Sequence, residues 1–153
     1  MKIIDEQVYY SWKDYALDMH DIESLEFDHV VGIYRGSLGI ATHVSNVFKV
    51  PMSIVGFQTR DSEDKEPYWI HNATQSEHLG PYDKGSTILV VDDIYDTGHT
   101  MNNVMDYVEK MRNKPSAIGY CLFGKSNDRN IIYSQEHDGS WIVFPWETLD
   151  ESV

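Results

Sequence analysis

The run Ile88-Leu89-Val90-Val91-Asp92-Asp93-Ile94-Tyr95-Asp96-Thr97-Gly98-His99-Thr100 places two adjacent carboxylates directly after four apolar residues, then a Thr/Gly turn. A short apolar run rich in β-branched residues predicts a strand buried on both faces of a parallel sheet. Parallel neighbours need crossover connections, so this one strand commits the chain to an α/β fold. Its C-terminal end opens into the crevice where such sheets bind ligands. Met101, Val104, Met105, Val108 and Met111 recur at helical spacing just beyond, with Asn102, Asn103, Asp106 and Lys110 facing outward. The turn therefore leads straight into a helix.

Each part of this string suits a different region of an anionic sugar. Ionised Asp92 and Asp93 only accept hydrogen bonds, which fits vicinal ribose hydroxyls or a magnesium ion. Asp96, Thr97, Gly98, His99 and Thr100 supply successive backbone N–H groups, hydroxyls and a glycine free to take positive φ, all at a helix start. Turns of this kind hold phosphate. A plain surface turn with capping aspartates needs one acidic residue, whereas three surround this one.

The rest of the chain alternates in the same α/β sense. Trp12, Tyr15, Ala16, Met19 and Ile22 are spaced for an amphipathic helix with Ser11 as N-cap. His29 to Tyr34 reads as a strand, Ser37 to Lys49 as a helix burying Ile40, Ala41, Val44, Val47 and Phe48, and Met52 to Gln58 as the next strand. Between that helix and the preceding strand stands Arg35-Gly36, a forked donor beside a residue that admits close approach of an anion to the backbone. Thr59 to Tyr82 is long and polar around Tyr68-Trp69-Ile70, and reads equally as a flexible lid or as a surface hairpin.

Composition narrows the function. The 153 residues suit one domain spanning 1–153, and 41% hydrophobic residues are too many for a disordered chain. Lys and Arg total 12 against 25 Asp and Glu, a net charge of −13 that repels nucleic acid. Phosphate chemistry survives this charge, because salt screens distant groups and a divalent cation can accompany the substrate. The one cysteine, Cys121, lies in an apolar stretch and reads as a buried thiol. The seven histidines show no zinc-ligand spacing, and no serine sits in a nucleophile elbow. A charged start and the lack of long apolar runs predict a cytoplasmic protein with no membrane insertion.

The string from Val90 to Thr100 resembles the phosphoribosyl pyrophosphate signature of the type I phosphoribosyltransferases: an apolar strand, two acidic residues, then Asp-Thr-Gly-x-Thr. Trp141-Ile142-Val143-Phe144-Pro145-Trp146-Glu147 is similar to the Trp-Ile-x-x-Pro-Trp ending of the bacterial xanthine-guanine branch. The resemblance implies a central, mostly parallel twisted sheet flanked by helices, with residues 59–82 as a small hood. It also implies a homo-oligomer, dimer or tetramer. Ser37 and His99 stand where glycine is common in the family.

By the same resemblance, phosphoribosyl pyrophosphate is bound by Arg35, Gly36, Asp92, Asp93, Asp96, Thr97, Gly98, His99 and Thr100, with Asp93 the ligand of Mg2+. The Arg35-Gly36 loop takes the pyrophosphate, and family members often hold a non-proline cis peptide at the position of Tyr34-Arg35. Lys125 corresponds to a lysine that donates to the purine's exocyclic oxygen, Trp141 to its stacking aromatic, and Ile142 to backbone that reads the ring edge. Asp96 corresponds to an aspartate near the purine N7 and is the catalytic candidate. The activity implied is transfer of ribose 5-phosphate to a 6-oxopurine such as guanine, xanthine or hypoxanthine. Two alternatives share the fold: a nucleotide-sensing module without catalysis, and a pyrimidine or orotate transferase.

Overall fold

The computed structural model describes residues 1–58, 68–69, 82–126 and 129–149. Most of the hood reading for Thr59 to Tyr82 thus lies outside the described residues. The chain begins with β1 (Lys2–Ile4) and β2 (Gln7–Tyr9), then α1 (Trp12–Asp18) and a 3-10 turn (Met19–Ile22). There follow β3 (His29–Tyr34), α2 (Leu38–Phe48), β4 (Met52–Gln58), β5 (Tyr68–Trp69) and β6 (Thr87–Ile94). Last come α3 (His99–Glu109), β7 (Ser116–Gly124), β8 (Ile131–Glu136) and β9 (Trp141–Val143).

The main sheet runs β5-β4-β3-β6-β7-β8, with only β5 antiparallel to its neighbour. From β3 the chain crosses to β4 on one side, then returns past β3 to β6 and continues to β7 and β8 on the other. The order therefore reverses between β3 and β6, and ligands of α/β sheets bind at such a switch point, beyond the strand C-termini.

Strand alternation builds two cores from one sheet. On β6, Ile88 and Val90 pack with Met101, Val104, Met105 and Val108 of α3, while Leu89 and Val91 pack with Ile40, Ala41 and Val44 of α2. These four β6 side chains are fully buried, and burial of each contributes about 1.5–3 kcal/mol. The same period of two sends Asp92 toward the α3 face and Asp93 toward α2.

Helix α1 corrects one expectation. Ser11 caps it as anticipated, accepting from the Asp14 amide at 3.2 Å while Asp14 accepts from the Ser11 amide at 3.0 Å. Trp12 and Ala16, assigned to the buried face, are exposed, and Asp18 is buried instead. The reason is polar: Asp18 accepts from Tyr10 Oη and Gln135 Nε2, both at 2.8 Å, so the helix turns this carboxylate inward. In α2, Val47 is likewise exposed rather than buried.

A second sheet, β1-β2-β9, was not anticipated, since its strands of three residues carry no readable period. Strand β2 runs parallel to β9 with Val8 opposite Ile142, and Tyr10 N–H donates to Val143 O at 3.0 Å. The Tyr10 ring meets Phe123 and Phe144 edge-on, with centroids 5.2 and 5.9 Å away.

At Gly32 an added Cβ would lie 2.6 Å from the Ala41 Cβ of α2, so that this glycine sets how closely α2 approaches β3. Gly32→Ala is expected to cost about 1–3 kcal/mol in urea unfolding, and Ala41→Gly in the same chain to recover part of it.

Candidate functional site

A cavity of about 390 Å³ opens at the switch point, within the size range of small-molecule sites. One wall is the continuous stretch Asp92 to Met101, and the other carries His137, Gly139 to Ile142, Phe144 and Glu147. It therefore joins the two segments that sequence comparison treated as separate sugar-phosphate and base regions.

The turn is fixed by Gly98, whose φ of +76° places it in the left-handed region that starts α3. A side chain there would also strike the Tyr95 hydroxyl and the Asn102 amide. Tyr95 is itself held, its N–H donating to Phe123 O at 2.7 Å. The amides that open α3 are thus presented to the cavity, with Thr97 and Thr100 hydroxyls beside them. His99 is exposed at the first helical position, its N–H donating to Thr97 Oγ1 at 3.4 Å.

The acid pair is unusually enclosed. Asp92 is 8% exposed and accepts from the Asp93 amide at 3.1 Å, while Asp93 accepts from the Ile94 amide at 2.8 Å. Burial, then the neighbouring Asp93 charge, push the Asp92 carboxyl well above the usual range; burial and the nearby Glu147 charge raise Asp93. Among the described residues no lysine or arginine lines the cavity wall, whereas Asp92, Asp93, Asp96 and Glu147 do. Such a site needs a cation before it receives a polyanion. Magnesium is commonly held by one or two carboxylates plus oxygens of the substrate and water, and Asp93 beside Asp92 fits that chemistry. Among the described residues no three His, Cys, Asp or Glu groups form a cage that would hold a metal without substrate.

Arg35, Gly36 and Lys125 stand outside the cavity wall but touch or flank it. A methyl group at Gly36 would overlap the Asp93 carboxylate, so the Arg-Gly loop packs directly on the acid pair. The Tyr34-Arg35 peptide is cis, as the resemblance implied, and Arg35 is exposed. Ser37, where glycine is common, is fully buried, its hydroxyl donating to Ile33 O at 2.5 Å. Lys125 Nζ donates to Asp96 Oδ1 at 2.6 Å, linking the end of β7 to the phosphate turn. Trp141, on the cavity wall, is 69% exposed, while the adjacent Ile142 is buried. Cys121 is buried, and burial pushes its thiol up, which makes it inert. Two wall residues, His137 and Glu147, had no assigned role. His137 lies in a loop without periodicity, and only its place four residues before Trp141 hinted at it.

Sheet order, acid pair and glycine-started helix define an α/β protein with a cavity at the switch point of its sheet. The chain belongs to the phosphoribosyl transferase domain family, whose model matches residues 7–152. It is 28% identical over 122 residues to a xanthine-guanine phosphoribosyltransferase of Cereibacter sphaeroides, covering 77% of this chain and 68% of that protein. Against a hypoxanthine phosphoribosyltransferase of Haemophilus influenzae it is 30% identical over 125 residues, covering 81% of this chain and 65% of that protein. Its fold is similar to the crystal structure of a purine phosphoribosyltransferase from Pyrococcus horikoshii, with a TM-score of 0.73 at 24% identity, over 95% and 96% of the two chains.

The acid pair carries a pH-dependent cost. Both carboxyls titrate above their ordinary values when folded, so their protonated forms favour the folded state. The pair's contribution is most favourable below about pH 4 and is lost as pH rises through the raised values. Asp92→Asn keeps the acceptor for the Asp93 amide and removes the repulsion. Its thermal midpoint at pH 7, without magnesium or substrate, is expected to exceed that of the unaltered chain, and the gain to vanish below about pH 4.

Proposed function

We propose that this chain is a purine-salvage phosphoribosyltransferase that moves ribose 5-phosphate from phosphoribosyl pyrophosphate to a nitrogen of a 6-oxopurine, releasing pyrophosphate. The observation that carries this is the single cavity in which the acid pair, the phosphate turn and the Trp141 platform meet. The names of both sequence relatives point the same way, and the parallel sheet suits a sugar-phosphate ligand at its switch point. The reading extends to a cytoplasmic homo-oligomer. No helix among the described residues is long and apolar enough to cross a membrane, and exposed Trp12, Leu17 and Val47 offer apolar surface for self-association.

In the reaction the bond from the sugar's anomeric carbon to pyrophosphate breaks and a bond to the base nitrogen forms, through an oxocarbenium-like state. No covalent nucleophile is required. The amides of Gly98 to Thr100 and the Thr97 and Thr100 hydroxyls hold the 5′-phosphate, and Asp92 and Asp93 hold the ribose hydroxyls. Bound at Asp93, magnesium would neutralise the acid pair and the pyrophosphate oxygens. Arg35 and the backbone at Gly36 steady the leaving group. Trp141 stacks on the base, worth about 1–3 kcal/mol, and Ile142 backbone reads its edge. Lys125 donates to the 6-oxo group, and Asp96 takes the proton from the base as the new bond forms.

Pyrophosphate release is measured with magnesium, phosphoribosyl pyrophosphate and guanine, xanthine or hypoxanthine, with adenine and orotate as controls. Turnover confined to 6-oxopurines supports the reading; tight nucleotide binding without turnover for any base overturns it in favour of a sensor. Asp96→Asn is expected to lower kcat by about a hundredfold or more with little change in nucleoside monophosphate affinity, since general-base assistance contributes 10²–10⁴-fold. Equal losses in both would remove the general-base role. Gly36→Ala displaces Asp93 and is expected to raise KM for phosphoribosyl pyrophosphate well above any effect on KM for the base.

A further inference from the structure

We propose that His137 reads the purine at its N1–C2 edge and sets the preference among 6-oxopurines. This rests on the purine-transfer reading above. Strands β7 and β8 run parallel with Gly124 opposite Glu136, and the His137 amide donates to Gly124 O at 2.6 Å. The backbone of His137 is thereby fixed beside the residue that precedes Lys125. Lys125 in turn holds Asp96. Asp96 and His137, both on the cavity wall, are therefore linked through Lys125 and Gly124 at the end of β7. A 6-oxopurine placed with N7 at Asp96 and its 6-oxo group at Lys125 brings N1 and C2 next in line.

The ring of His137 has an unmet need there. Its Nδ1 is shielded from solvent and has no hydrogen-bond partner among the described residues. Tyr82 Oη and Asn102 Oδ1 share that condition, but neither residue lines the cavity. An atom so enclosed is beyond a ligand's reach, which leaves Nε2 as the ring nitrogen that can meet a base in the cavity. The link from His137 to the stacking platform is also fixed: Ser140 N–H donates to Asp138 Oδ1 at 2.9 Å and Gly139 takes a φ of +96°. This turn holds His137 and Trp141 on the same wall.

A neutral imidazole offers one donor and one acceptor, according to its tautomer. It accepts from the 2-amino group of guanine in one tautomer and donates to the 2-oxo group of xanthine in the other. Hypoxanthine carries only C–H at that position and gains neither bond. His137 thus favours purines bearing a polar 2-substituent.

The test compares kcat/KM for guanine, xanthine and hypoxanthine in the unaltered chain, His137→Phe and His137→Asn. The phenyl ring keeps the shape and removes both nitrogens. His137→Phe is expected to lose about tenfold on guanine and xanthine through KM for the base, with hypoxanthine and KM for phosphoribosyl pyrophosphate near their original values. His137→Asn, which restores a donor and an acceptor, is expected to recover part of the loss, and carries the comparison alone if the phenylalanine variant does not fold. Unchanged selectivity, or equal losses on all three bases, overturns the assignment while leaving the transferase reading intact. Failure of the unaltered chain to turn over any purine overturns both.

Discussion

Everything at the switch point follows from forcing two adjacent carboxylates into the buried end of β6. Leu89 and Val91 anchor the strand on one side and Ile88 and Val90 on the other, so that neither Asp92 nor Asp93 can withdraw into water. The repulsion left between them makes the empty site electrostatically poor and a cation-bearing ligand correspondingly welcome. Stability has been given up locally to prepare a binding surface, as commonly happens where function needs strained electrostatics. An overall charge of −13 says less about this site than the four carboxylates gathered on its wall.

The strands and helices that carry strong periodicity were legible in the sequence. His29–Tyr34 and Met52–Gln58 have the bounds read from residue pattern, and α3 buries Met101, Val104, Met105 and Val108, whose spacing announced it, while Met111 falls beyond its end and is partly buried. The acid pair and the Gly98 turn could be placed because a buried strand has few ways to present two carboxylates. Other features resisted for physical reasons. Asp18 is buried because of partners on β8 and at Tyr10, which no local pattern encodes. Strands β1, β2 and β9 are too short to show alternation and exist through pairing across the chain. His137 has no motif at all; its setting emerges only when β7 and β8 are side by side.

The two halves of the site are held by different means. The wall from Asp92 to Met101 is one continuous segment, strand to turn to helix, and its geometry is local. The opposite wall is assembled from distant pieces: the loop after β8, and β9 beside the packed rings of Tyr10, Phe123 and Phe144. Lys125 and Asp96 join them through one ion pair. A change in the second wall can therefore come from several separate elements, while the first depends on one segment.

The parallel pairing of Val8 with Ile142 has a consequence for biosynthesis. A nascent chain emerging from the ribosome can form β3, α2 and β4 soon after their residues appear, since those contacts are close in sequence. Strand β2 has no such early neighbour beyond its hairpin with β1, and must wait until translation has passed Val143 before it can dock. Contacts so distant along the chain form slowly because the intervening loop must first be closed. The cavity wall carried by β9 is then late to mature.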